Sequence, residues 1–219
     1  MNLQPLFLSI QVAVLATLLA FVIGVCAALL LSDKRLPGRD LLDAIATAPM
    51  VLPPTVLGYH VLVALGRHSP IGTFWERVFG SPIVFTRTGA VIAATIGSIP
   101  LIIKAARAAI EGVDPILILA ARTLGASPMR VLFTITLPLA KRGLVAGVTL
   151  GFARALGDFG VTLMVAGDIP GETQTASLAI YDAIQSGQEQ TALAMVLILT
   201  SVGILALYMV NRLGRLSHD

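Results

Sequence analysis

The sequence predicts an all-α, polytopic membrane protein with about five spanning helices and a helical cytoplasmic loop. Three observations carry this. The 219 residues are 56% hydrophobic and 12% charged, with mean hydropathy +0.90, whereas a soluble domain is about 45–50% apolar and about 25% charged. The surplus is too large for one soluble core, and a bilayer can dissolve it. The apolar residues also come in runs near the ~20 residues that a spanning helix needs. Finally, Lys and Arg fall mainly on one side of those runs.

The first run, 6–31, is long enough to span. No Lys or Arg precedes it and Lys34 and Arg35 follow it, the wrong polarity for a cleaved signal peptide. Val25 also argues against lipoprotein processing at Cys26. Further spans are predicted at about 41–66, 88–110, 143–166 and 191–210, with a cytoplasmic loop at 111–142, so that 1–219 makes a single transmembrane domain. Pro49, Pro53 and Pro54 interrupt the second span and strip helical donors from carbonyls near Ile45, Pro49 and Met50. Two readings follow: a broken helix lining a path, with Thr55 and Gly58 adding a small polar surface, or a proline kink. In the fourth span Gly143, Gly147, Gly151 and Ala155 form a small-residue stripe suited to close helix contact, within the chain or between copies.

Charge orients the chain. Eleven of the fifteen basic residues lie on one side: Lys34, Arg35, Arg39, Lys104, Arg107, Arg122, Arg130, Lys141, Arg142, Arg212 and Arg215. Three lie on the other (Arg67, Arg77 and Arg87), and Arg154 is inside the fourth span. The positive-inside bias then places the N-terminus outside and the C-terminus in the cytoplasm. The outer segment 67–87 carries Phe74, Trp75, Phe79 and Phe85, residues suited to the membrane boundary. The second outer segment, 167–190, is acidic, and its 175–186 portion predicts a short surface or re-entrant helix.

Several functions are excluded or disfavoured. Net charge is +3, but the basic residues are scattered, which argues against nucleic-acid binding. One cysteine makes no internal disulfide, and no His or Cys cluster has metal-ligand spacing. His60, His68 and His218 do not cluster, so a membrane enzyme with a histidine-based site has little support, and the lone His60 is expected to be packed rather than functional. The chain has no G-x-x-x-x-G-K-[ST] phosphate loop. A passive anion channel remains as another class.

Arg154 and Asp158, four apart in the fourth span, share a helix face. An ionisable residue at the bilayer centre costs about 2.5–3.5 kcal/mol on insertion scales, so two of them imply pairing, a wet cavity or both. They either line or gate an anion path or form a buried pair that fixes packing.

The cytoplasmic stretch ILAARTLGASPMRVLFTITLPLAKRG, 118–143, reads as two short helices around a turn. Gly125 supplies the positive φ that ends the first. Ser127 caps the second and Pro128 sits at its first position, while Pro138 is expected to stop or bend it. Glu111, Asp114 and Arg122 are expected in salt bridges.

This stretch resembles the EAA loop of permease subunits of bacterial ABC importers. Ala120, Ala121, Gly125, Ile135, Leu137 and Pro138 fall at the family's spaced positions, and Leu119 replaces its Glu. The stretches 36–59, 111–138 and 153–175, about a third of the chain, resemble the molybdate permease family, and the Arg-x-x-Gly-acidic-Phe-Gly pattern at 154–160 is shared with sulfate permeases. The resemblance implies a type I ABC importer permease-like fold in the bacterial inner membrane, acting as a transport subunit and not as an enzyme. It implies that Ala120, Ala121, Arg122, Gly125, Ala126, Ser127, Pro128, Arg130, Leu137 and Pro138 couple to an ATPase, and it makes Pro53, Pro54, Thr55, Arg154 and Asp158 the candidates for the path or gate. The implied partners are a second copy of the chain, an ABC ATPase dimer that itself binds ATP and Mg, a periplasmic oxyanion-binding protein, and membrane lipid. The implied cargo is molybdate, with tungstate or sulfate as alternatives.

Overall fold

The computed structural model describes residues 3–33 and 35–216, without the side chains of 210, 211 and 213–216. Lys34, His218 and the side chain of Arg215, used above for charge or histidine clustering, lie outside this description. Among the described residues every regular element is helical.

Four helices are long and apolar enough to cross a membrane: α1 (Gln4–Ser32), α5 (Arg87–Glu111), the continuous rod Pro128–Leu156 and α11 (Glu189–Leu216), the last scoring over Glu189–Met209. A bent pair, Arg39–Met50 and Pro54–Leu65, makes a fifth span if its two halves are counted together.

The centre is α5, the most buried of the spans, packed against α1 and α8 (Leu137–Leu156). Its contacts are built from small side chains. Ala13, Ala16, Ala90, Ala94 and Ala155 share one buried cluster, and Ala28, Ala106 and Ala140 another. Lipid gives apolar helices no hydrophobic reason to associate, so close van der Waals approach over small residues must supply the attraction. The predicted stripe serves this purpose within the chain: Gly143, Gly147 and Gly151 lie against Ala109, Ala105 and Ile102 of α5.

Two spans differ from the sequence reading. The span expected over 41–66 is two helices, α2 (Arg39–Thr47) with a 3₁₀ turn Ala48–Met50, then α3 (Pro54–Leu65), and the chain turns by 109° between them. Pro53 and Pro54 cannot donate to the preceding carbonyls, which ends the first helix, and Pro54 then occupies the first turn of the next, where no donor is needed. α2 buries none of its residues. Its polar side is tied to α5 by ion pairs, Lys104–Asp43 at 3.0 Å, Arg107–Asp43 at 3.2 Å and Arg39–Glu111 at 2.6 Å.

The span expected over 143–166 starts earlier and breaks. α7 (Pro128–Val131), a π turn (Leu132–Thr136) and α8 form one rod, so its base takes up the last part of the loop drawn at 111–142. Pro138 does not stop this rod. The π turn, in which Leu137 N–H donates to the Leu132 carbonyl, widens the helix just before the proline ring and absorbs its missing donor. The rod ends at Leu156, and α9 (Gly160–Ala166) begins after a three-residue break. Gly157 and Gly160 bracket it, and glycine costs a helix interior about 1 kcal/mol relative to alanine.

Two short helices flank the bundle at the Gln4 end. α4 (Pro70–Phe79) leaves Phe74 and Phe79 exposed. α10 (Ala176–Gln185), within the segment expected at 175–186, packs on α11 and α1, and its first N–H, of Ala176, donates to Ser9 Oγ at 2.7 Å.

Candidate functional site

The turn expected to couple, between α6 (Pro115–Thr123) and α7, is built from its backbone. α6 starts at Asp114, whose carboxylate accepts from Ile116 N–H at 2.8 Å. At its end Ala126 N–H donates to the Ala121 carbonyl and Gly125 N–H to the Arg122 carbonyl, each at 3.0 Å. This is a Schellman closure, and it requires a left-handed residue at Gly125, where φ is +83°. Ser127 Oγ accepts from Arg130 N–H at 3.3 Å, and Pro128 sits in the first turn of α7. Thus Ala121, Arg122, Gly125, Ala126, Ser127 and Pro128 are each fixed by a backbone role. Ile118 of α6 packs against the cluster of Ala28, Ala106 and Ala140 and ties the turn to the bundle.

The turn is also exposed. Leu124 at the apex is 88% accessible, and Ile116, Leu119, Met129 and Phe133 stand out around it. Ala120, Arg122, Arg130 and Pro138 are exposed as well, whereas Leu137 is half-buried. A shallow apolar groove lined by Leu117, Ala121, Leu124, Ile135, Pro138 and Leu139 runs beneath. Of the expected salt bridges, Glu111 pairs with Arg39 and Arg107, Asp114 is a helix cap instead, and Arg122 has no ion pair among the described residues. An apolar apex flanked by unpaired cations suits a groove on another protein.

The second candidate region lies at the far end of the same rod. Arg154 is in the last turn of α8, and its Nη1 donates to Asp158 Oδ1 at 2.8 Å. Asp158 is in the break and not in a helix, so the pair closes across a helix end and not along one face. Its second oxygen accepts from Thr162 N–H at 3.0 Å and from the Thr162 hydroxyl at 2.6 Å. The carboxylate therefore caps α9 and answers Arg154 together. Its side chain is 2% exposed and that of Arg154 33%. With both oxygens engaged and its side chain buried, Asp158 is fixed in place, and its charge faces the positive end of α9. Packing is the reading that the geometry favours for Asp158. Arg154 keeps some exposure, and its Nη2 faces Gly97, where an added Cβ would lie 3.4 Å away.

Pro53, Pro54 and Thr55 are exposed, and Pro54 abuts Gly160 at the start of α9. The two prolines and the Arg154–Asp158 pair, chosen separately from sequence, thus meet at neighbouring helix breaks. His60, expected to be packed, is exposed, with Nδ1 2.8 Å from the Val56 carbonyl. A wide groove lies elsewhere, at the Leu65 end of α3. It is lined by Leu62, Gly66, Arg67, His68, Pro82 and Phe85 and holds none of the path candidates.

Sequence reasoning missed Thr162, Gly97 and the Asp43–Lys104–Arg107 cluster. The spacing of Asp158 to Thr162 carried a cap signal that was legible only once the break between Gly157 and Gly160 was recognised.

The family model for binding-protein-dependent transport system inner membrane components matches residues 10–217. The chain belongs to this family. It is 43% identical over 217 residues to the molybdenum transport system permease protein ModB of Escherichia coli (strain K12), covering 99% of this chain and 95% of that protein. It is 31% identical to the sulfate transport system permease protein CysT of Salmonella typhimurium, covering 92% of this chain and 72% of that protein. Among solved structures it resembles an inward-facing conformation of the MetNI methionine ABC transporter, with TM-score 0.79, 19% identity, and 99% of this chain and 96% of that chain covered. The fold is therefore that of an importer permease, and the chain is a multi-pass component of the inner membrane.

Proposed function

We propose that this chain is the permease subunit of an ATP-driven molybdate importer and that it acts as a single domain. The observation that carries the reading is the 43% identity to a molybdenum permease over 99% of the chain, against 31% to a sulfate permease. Two copies form the path as a homodimer. A pair of ATPase subunits docks beneath on the turn 120–130, and a periplasmic oxyanion-binding protein delivers the cargo. ATP and Mg bind to the ATPase, because this chain has no phosphate loop. The excess of Lys and Arg at the coupling-turn end supports a cytoplasmic position for that end, with the N-terminus periplasmic and the C-terminus cytoplasmic.

The rod supplies the mechanics. Coupling turn and helix break are the two ends of Pro128–Leu156, 29 residues long, which at 1.5 Å per residue is about 43 Å. Movement of the docked ATPase displaces the turn, the rod carries the displacement through the bilayer, and the break between α8 and α9 absorbs it next to Pro53, Pro54 and Thr55. Alternating access results, with the path open to one side at a time. Affinity resides in the delivering protein, so the path needs only weak attraction, which the partly exposed Arg154 supplies.

The test is uptake in cells lacking their own molybdate permease. Labelled molybdate uptake restored by this gene, and competed far better by molybdate than by sulfate, is expected. Equal competition by sulfate would replace molybdate with a broader oxyanion cargo.

A further inference from the structure

Two helix breaks meet at one level of the bundle. Residues 51–53 separate the 3₁₀ turn from α3, and residues 157–159 separate α8 from α9. The two new helices start side by side: a Cβ on Gly160 would lie 2.7 Å from Pro54 Cβ. One turn further along both, a Cβ on Gly58 would lie 2.7 Å from Met164 Cβ and 3.3 Å from the Gly160 carbonyl oxygen. Equal steps on both helices mean that α3 and α9 run parallel and in register, at an approach where a Cβ at 58 or 160 would force a local shift. Beyond the glycines, Leu57 and Val61 of α3 close a buried cluster with Val161 and Val165 of α9.

The pair is joined to the rest of the chain through the two breaks. α2, which precedes α3, has no buried residue and is held to α5 through polar side chains. α8 joins α9 through the three-residue break pinned by Asp158. α5 backs α9 through Gly89, which lies against Val165, and through Ala93, which shares the buried cluster of Leu57, Val61, Val161 and Val165. Interdigitated interfaces resist deformation, whereas helix ends absorb backbone rotation.

We propose that α3 and α9 form one rigid leaf, which swings as a unit on the two adjacent breaks during transport, and that Gly58 and Gly160 are the positioning residues that hold it together. This rests on the permease reading and adds the identity of the moving part. The leaf joins the end of the coupling rod to the Pro53–Thr55 segment, so that a displacement arriving through α8 reaches α3 by way of α9.

The test locks the leaf. In a Cys26→Ser background, Gly58→Cys with Met164→Cys places two thiols where the Cβ spacing of 2.7 Å needs to relax by only about 1 Å to reach the ~3.5–4.5 Å of a disulfide. The chain is assembled with its ATPase in proteoliposomes, oxidised, and the bond is verified by peptide mass. Molybdate uptake by the oxidised sample is expected within threefold of the same sample after reduction. A larger loss that reduction reverses overturns the proposal, because it means that α3 and α9 must slide past one another. A second readout does not require the variant to transport. The rate of disulfide formation in this pair, and in Pro54→Cys with Gly160→Cys, is compared between nucleotide-free and vanadate-trapped complexes. Rates within threefold support one rigid leaf, and a larger dependence on state overturns it. Absence of uptake by the unsubstituted complex in the same vesicles would count against the permease reading, and the cross-linking comparison would still decide the leaf.

Discussion

Replacing Asp158 is the sharpest probe of the break between α8 and α9. Asp158→Ala removes the acceptor for Thr162 N–H, and losing a helix cap costs about 1 kcal/mol. It also strands Arg154. Leaving one member of a fully buried pair costs about 3–5 kcal/mol, but the Arg154 side chain is 33% exposed, so roughly half of that applies. The expected loss is about 3 kcal/mol, or ~100-fold in the folding equilibrium. Asp158→Asn keeps an oxygen for Thr162 and loses only the charge, so its cost is about 1 kcal/mol lower. The assay is reversible unfolding in mixed micelles of Asp158→Ala, Arg154→Ala and the double variant. A coupling of at least ~1 kcal/mol is expected for residues in contact. Additivity of the two single changes within about 0.5 kcal/mol would refute the pair as a structural pin and return Asp158 to a role in the path.

Three further outcomes follow from the same geometry. Gly125→Asp places an L residue at φ +83° with nothing within 4 Å of its Cβ, so the strain is confined to the backbone at about 1–2 kcal/mol; insertion measured by membrane fractionation should be normal and molybdate uptake abolished, and unchanged uptake would remove the coupling role of the turn. Gly97→Ala should be tolerated, since its Cβ would sit 3.4 Å from Arg154 Nη2, whereas Gly97→Val should displace the guanidinium and cost about 1–3 kcal/mol in the same unfolding assay. In the loop after α9, burial holds the Asp168 carboxyl above the usual carboxylate range, with repulsion from Asp182 adding to it and a hydrogen bond from Gln174 opposing it. A raised folded pKa means that stability is full below the unfolded value of about 3.9 and is lost as pH rises through the folded one, so Asp168→Asn should raise the melting temperature at pH 7 and lose that advantage in acid.

How much of this was legible in the sequence depends on the type of signal. Apolar length located α1, α5 and α11, because each continues as one helix, α5 even through Pro100. The coupling turn was legible almost residue by residue, since Gly125, Ser127 and Pro128 act through local backbone chemistry that does not depend on neighbours. Pro138 misled. Its lost donor is absorbed by the π turn at Leu132–Thr136, a change of helical pitch that leaves no residue-type signature. The break at 157–159 was hidden because its flanks are as apolar as a span, and hydropathy does not distinguish a helix from two half-helices. The contacts of Gly58 with Met164 and of Gly160 with Pro54 were beyond reach, because they join segments about a hundred residues apart with no charge or polar group at either end to announce them.

The central claim is that this chain moves molybdate only when an ATPase drives its coupling turn. The most direct measurement is molybdate accumulation in proteoliposomes containing the chain with its ATPase and its delivering protein, with and without ATP. Accumulation against a gradient that requires ATP and both partners, and disappears in Gly125→Asp, is predicted. Equal molybdate flux without ATP, or through the chain alone, would contradict the account and make the protein a passive anion channel.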